Sequence, residues 1–448
     1  MTCGDAGGIG RVWRFCTAVA GAIVLAGCGP TAVRTVADGV PEASPQVKHV
    51  RALAQHVDVN RALRHIERHR YTGLSELIEL TQIPAPPFGE AARGERYAAM
   101  LSQTGFGDVK IDEVGNVVAR RAGSVGARTV AVLAHLDTVF PADTDVTVHV
   151  DGSRYTAPGV GDNTRGMVLL LELARAVVAT DMVFEDNVWL VGNVGEEGLG
   201  DLRGVRHLFR DGATPIDSLI AIDGGDTRRI VTEAVGSNRF RVMFSGAGGH
   251  SWGDFGDASP LHALGSAVDL LHERGRRVTD RGPRSTFNVG RISGGTSVNS
   301  IAFAAWMEVD LRSADPGKLD ELTRMFEQSM RDALIRHNND RSDGTALALS
   351  IEPIGQRPAG RTAVDQPLVQ QAWAALSYLG LEPETVASST DANIPMSLGI
   401  PAITLSRGGV SGRAHSLEEF WIDRDTHIAT QAVLLTLLAN AGLGASGT

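Results

Sequence analysis

Several short stretches of this chain are apolar at nearly every position instead of at alternate ones. Thr129–Ala134, Asn187–Val194, Ser218–Ile222 and Ile400–Leu405 are the clearest. Continuous runs of this length read as strands buried on both faces of a sheet. Gly166–Val178 is longer and equally apolar, and reads as a mostly buried helix. From about His49 to Arg70 the apolar positions Val50, Leu53, Val57, Leu63 and Ile66 recur at helical spacing, which predicts one amphipathic helix. A further helix starts at Leu74–Leu80. It stops before Ile83-Pro-Ala-Pro-Pro-Phe-Gly-Glu90, because proline lacks the donor and clashes with the preceding turn.

The pattern changes between about 238 and 354. A strand over Arg239–Phe244 precedes a Gly-rich loop and a helix from Ser259. Strands follow near Thr286–Ile292 and Phe303–Leu311, then a helix from Pro316 and a strand near Ala346–Pro353. This β-α-β-β-α-β order predicts a ferredoxin-like α+β unit inserted between the strands ending near Asp223 and His415. The expected organisation is therefore 48–237 and 355–448 as one α/β domain, with 238–354 inserted.

A chain of 448 residues exceeds what one core usually supports, in line with two domains. Hydrophobic content of 43% and charged content of 21% are those of an ordinary globular protein. The net charge of −10 argues against nucleic acid or an anionic membrane surface as a partner. At the amino end, Arg11 and Arg14 precede the apolar run Phe15–Ala26, too short to span a bilayer comfortably. It ends in Leu25-Ala26-Gly27-Cys28, which resembles a bacterial lipobox. Residues 1–28 thus read as a lipoprotein signal peptide with Cys28 the lipidated residue, exported to the cell envelope; a plain signal peptide or an uncleaved anchor is the alternative. Residues 29–47, with Pro30, Pro41 and Pro45, read as a flexible tether.

Candidate chemistry lies where the buried strands stop. The first runs into His135-Leu-Asp137, the second into Glu196-Glu197, the third into Asp223. Asp162 sits in the Gly-rich loop Pro158–Thr164, and His415 follows the last strand through Arg407-Gly-Gly-Val-Ser-Gly-Arg-Ala. Open α/β sheets bind ligands at the carboxyl ends of their strands. Adjacent glutamates repel unless a cation or shared proton lies between them. His135 and Asp137 share a face of an extended chain, so the Asp137 carboxylate can reach the second ring nitrogen and fix the tautomer. Taken singly, Asp162 could be a helix N-cap and His135 a satisfied polar residue. Together these residues point to a metal site.

These motifs, in this order and spacing, resemble the co-catalytic zinc peptidases and deacylases of the M-twenty family, over about Leu74–Leu443. The resemblance implies a zinc-exopeptidase-type catalytic domain, a mixed sheet flanked by helices, carrying an inserted lid or dimerisation domain. It implies two divalent ions, zinc or else cobalt or manganese, bridged by Asp162. His135 and Asp223 would complete one ion's ligands, Glu197 and His415 the other's. Glu196 would be the general base and Asp137 the residue orienting His135. In the lid, His250 in Ser245-Gly-Ala-Gly-Gly-His would stabilise the oxyanion, in dimeric members from the partner subunit. Asn299 would contact substrate, and Arg312 would bind its carboxylate; a surface ion pair of Arg312 with Asp310 or Asp315 is the alternative. Asp226, in Asp223-Gly-Gly-Asp, is a conceivable substitute ligand. The implied reaction is amide hydrolysis in small peptides by a di- or tripeptide exopeptidase. An N-acyl amino acid deacylase or carboxypeptidase, or a silent binding lipoprotein, are the rivals.

Overall fold

The computed structural model describes residues 44–342 and 344–445. The expected leader with Cys28, and most of the tether, lie outside these residues. Among the described residues, no helix is long and apolar enough to cross a membrane.

The continuous apolar runs form the middle of a nine-stranded mixed sheet. Its order is Asp108–Ile111, Val117–Arg121, Asn187–Asn193, Thr129–His135, Ser218–Ile222, Ala402–Leu405, Arg229–Ala234 and Gly360–Arg361, with Glu384–Ser388 also pairing on Arg229–Ala234. Thr129–His135 and Ser218–Ile222 are buried at every position. Register brings the important ends level: His135 lies opposite Asn193, and Ile222 opposite Leu405. The loops that follow these central parallel strands therefore open on one edge of the sheet. Helix Gly166–Ala179 packs beneath it, buried on nearly all sides, as a helix apolar all round must be.

A small four-stranded sheet (His149–Asp151, Arg154–Thr156, Phe420–Ile422, Val410–Gly412) stands beside this edge. His415 sits in the loop joining its last two strands in the chain.

The inserted unit is a four-stranded antiparallel sheet in the order Ser285–Gly294, Ala304–Ser313, Gly236–Ser245, Ala348–Arg357. That is the ferredoxin-like order expected from its pattern. Helices Pro260–Thr279 and Pro316–Asp340 cover one face, burying Phe240, Val242, Met307, Val309, Leu311 and Phe326. The other face carries the alternate residues, including Arg239, which is paired in register with Asp310.

Two expectations need correction. The single helix expected from His49 to Arg70 is two, Pro45–Gln55 and Val57–Arg68, because His56 adopts an extended conformation between them. The tether also ends earlier than residue 47. Ser44 caps the first helix by accepting from Val47 N, and Pro45 occupies the first turn, where no donor is required of it.

Candidate metal centre

Asp162 is the geometric hub. Its Oδ1 lies 3.3 Å from His135 Nε2 and its Oδ2 lies 3.4 Å from His415 Nε2. His415 Nε2 also lies 2.9 Å from Glu197 Oε1. Each oxygen of one carboxylate thus faces a different imidazole. His135, Asp162 and Glu197 bring ligand atoms within 4.8 Å of one another.

The local chain is built to hold this arrangement. Gly159 has φ 77°, and a Cβ there would meet Thr138 Cγ2 at 2.6 Å, so only glycine fits the turn. Glu419, buried at 1% exposure, accepts from Gly159 N at 2.9 Å, Gly161 N at 3.0 Å and Asp162 N at 2.7 Å. It therefore ties the Asp162 loop to the segment bearing His415. His415 itself has φ 66°, an uncommon conformation for a side chain this large.

Asp137 acts differently from expectation. Its backbone carbonyl, not its carboxylate, lies 3.0 Å from His135 Nδ1, while the nearest carboxylate oxygen is 3.7 Å away. That carbonyl can only accept, so Nδ1 carries the proton and Nε2 faces Asp162. The Asp137 carboxylate instead accepts from Glu196 N at 2.9 Å and Glu197 N at 2.8 Å, which fixes both glutamates where the strand ends. His135 Nε2 is fully buried with no hydrogen-bond partner. A buried ring nitrogen aimed at a carboxylate, with a second carboxylate and a second imidazole alongside, suits a divalent cation with N and O ligands.

The electrostatics agree. Burial opposes charging His135, but the carboxylates of Asp162, Asp137 and Glu196 outweigh it and raise its pKa well above the usual value. Burial alone would raise Asp162, yet Arg407, His135 and His415 hold it well below the ordinary carboxylate range. Burial pushes Glu196 well up, assisted by Glu197 and opposed by Arg357. Asp223 is raised by burial and by the Asp162 charge. Hydrogen bonds to Asp162 and Glu197 lift His415 to about 10.

That last shift has a measurable consequence. An imidazole must lose its proton to bind a metal, so ion uptake near neutral pH should release protons, one of them from His415. Affinity should then strengthen as pH rises towards 10. In the metal-free protein the sign is opposite: this stabilisation of the fold is complete below about pH 6.5 and fades as pH passes 10. Calorimetric titration in buffers of different ionisation enthalpy reads the proton count. Proton-neutral uptake would remove His415 from the ligand set.

These groups line an open cleft of about 1070 Å³, with Asp162, Glu196, Glu197, Asp223 and His415 on its floor. Arg312 lines it from the inserted unit. Its Nε pairs with Asp310 Oδ2 at 2.6 Å, so the ion pair and the cleft-facing position coexist. Asp226 is engaged by Arg228 at 2.9 Å, which fits a partner of Arg228 better than a substitute ligand. His250 and Asn299 are exposed and stand outside the cleft lining, neighbours across the short pairing of Gly249–His250 with Ser300–Ile301. His250 Nδ1 accepts from Trp252 N and Gly253 N, both at 3.2 Å.

Sequence reasoning missed several residues here. Arg357 Nη1 donates to Glu196 Oε1 at 2.9 Å, and Nη2 donates to the Glu196 carbonyl. Its strand runs past the expected end near Pro353, and nothing local marks it. Arg239 donates to the Gly198 carbonyl at 2.8 Å, joining the inserted sheet to the Glu196 loop. Arg407 follows a buried strand and precedes glycines, the same signature that flagged the acids, but as a cation it falls outside any set of metal ligands.

Fold and site together define a metal-dependent amidohydrolase built on an α/β sheet. The profile of Peptidase family M20/M25/M40 matches residues 131–440, and the chain belongs to this family. Protein YqjE of Bacillus subtilis (strain 168) is 23% identical over 349 residues, 75% of this chain and 90% of that protein. Among solved structures, aminopeptidase PepT from Bacillus cereus ATCC 10987 matches with TM-score 0.66 and 19% identity, over 82% of this chain and 97% of that one. The di-peptidase Dug1p from Saccharomyces cerevisiae matches with TM-score 0.65 and 16% identity, over 86% and 98%.

Proposed function

We propose that this protein is an aminopeptidase-like exopeptidase that hydrolyses di- and tripeptides, with Glu196 as general base. The observation that carries the reading is the buried Glu196–Arg357 pair, each side chain at 5% exposure, beside the Asp162 hub in the open cleft. His135, Asp162, Asp223, Glu197 and His415 would hold two divalent ions, zinc foremost, with cobalt or manganese as alternatives. Bound there, such ions would polarise the scissile carbonyl and acidify an attacking water. Glu196 takes that water's proton and returns it to the leaving amine. Arg357 holds the Glu196 carboxylate in place, and Asp137 holds the backbone beneath it. Arg312 presents a planar fork suited to a substrate carboxylate. The named activities of PepT and Dug1p favour peptides over N-acyl amino acids as substrates. A screen of metal-loaded protein against free di- and tripeptides, blocked peptides and N-acyl amino acids tests this. Cleavage confined to N-acyl amino acids would make it a deacylase, and cleavage of N-blocked peptides from the carboxyl end a carboxypeptidase.

The exposed placement of His250 and Asn299 supports a homodimer formed through the lid, in which these residues complete the partner's cleft. Mixing inactive His250→Ala with inactive Glu196→Gln should then restore a fraction of wild-type activity, since one site per mixed dimer keeps both groups. No recovery despite proven subunit exchange would end the idea.

The sequence around Cys28 supports export and lipid anchoring at the cell envelope, with 29–43 as the remaining tether. Cys28→Ala should move the protein from the membrane fraction to the soluble fraction. Unchanged fractionation would argue for another form of attachment.

A further inference from the structure

Arg407 stands where the ion ligated by His135 and Asp223 is expected. Its strand Ala402–Leu405 runs parallel to Ser218–Ile222, and backbone bonds lock the two ends together: Asp223 N to the Leu405 carbonyl at 2.8 Å and Arg407 N to the Gly224 carbonyl at 3.1 Å. The side chain turns inward to 4% exposure. A single nitrogen, Nη1, donates to Asp162 Oδ1 and to Asp223 Oδ1, each at 3.0 Å. That Asp162 oxygen is the same one that faces His135 Nε2.

The other half of the hub is different. Among the described residues, Asp162 Oδ2, Glu197 and His415 converge with no arginine paired between them. On the first half, Arg407 Nη1 holds both the Asp162 oxygen that His135 faces and the Asp223 carboxylate. One cation position is thus open and the other is bridged by a fixed positive charge, which arginine keeps at any working pH.

We propose that Arg407 is a resident cation that competes for the Asp162–Asp223 edge, so that the protein binds one divalent ion tightly and a second only by displacing the guanidinium. The inference rests on the metallohydrolase reading above. It makes the two ion sites unequal by construction: the first ion uses Asp162 Oδ2 with Glu197 and His415, and the edge shared by His135 and Asp223 becomes available once Arg407 leaves. Competition requires no titration of the ligands, only that guanidinium and metal cannot share the same carboxylate oxygens.

The test is metal binding itself, read by calorimetry and by elemental analysis after gel filtration, with zinc and manganese as probes. Wild type should bind about one ion tightly and a second at least about 100-fold more weakly. Arg407→Met should tighten the second step at least tenfold and leave the first within threefold. Asp223→Asn should leave the first step within threefold, because Asp223 does not serve the tight ion. It also guards against a misfolded Arg407→Met. Two ions of like affinity in wild type, an unchanged second step in Arg407→Met, or a first step weakened tenfold by Asp223→Asn would each overturn the proposal and leave the hydrolase reading standing. A wild-type protein that binds no ion at all would overturn both.

Discussion

Glu196→Gln should lower turnover by about 10²–10⁴-fold, the range expected when a general base is lost, which corresponds to about 3–5 kcal/mol of barrier. The substitution conserves shape. The amide oxygen it introduces can still accept from Arg357, whose second contact is to the backbone carbonyl of residue 196 and survives. The strand end is pinned by Asp137 through the Glu196 and Glu197 amides, which the change does not touch. Metal content should therefore stay near that of wild type, and the loss should appear in kcat more than in KM. Activity on the preferred peptide, together with elemental analysis, checks both halves. If Glu196→Gln keeps most activity while Glu197→Gln does not, the roles of the two acids are reversed.

Asp162→Asn should abolish activity by way of the metal. The carboxylate offers one oxygen towards His135 and Arg407 and the other towards His415. An amide of the same size keeps one acceptor, turns the other into a donor, and removes the charge. Losing a supporting partner of a metal ligand commonly costs 10–100-fold in affinity, so loss of the central ligand should exceed about 100-fold. Calorimetry should show no tight ion in Asp162→Asn under conditions that load wild type, with unfolding still cooperative because Glu419 continues to accept the loop amides at 159, 161 and 162. Tight binding retained by this variant would move the metal centre elsewhere in the cleft.

These two expectations differ in what they depend on. Glu196 is positioned by a strand end and by an arginine from the inserted sheet, so its role draws on both sheets. Asp162 depends on a loop that Glu419 anchors from 257 positions along the chain. Interference with the Glu419 contacts should therefore displace Asp162 and His415 together.

Much of the architecture could be read from the chain alone. Continuous apolar runs specify strands buried on both faces, and Thr129–His135 and Ser218–Ile222 are so buried. The alternating and helical patterns between about 238 and 354 specify the inserted α+β unit, because a period of two or of 3.6 dictates which face is apolar. The acids and histidines could be found because they stand directly after these strands or in glycine-rich loops, a local signal. What only the tertiary structure decided is how charges from distant segments meet. Arg357 reaches Glu196, Arg407 bridges Asp162 and Asp223, and Glu419 grips the Asp162 loop, each through a contact more than 150 positions apart in the chain. No periodicity records such a pairing, since it depends on strand order and register in the folded sheet. The same holds for Asp137. Residue type and spacing placed it beside His135, but the fold turned its carboxylate to the backbone of the glutamate pair and left the carbonyl to hold the ring.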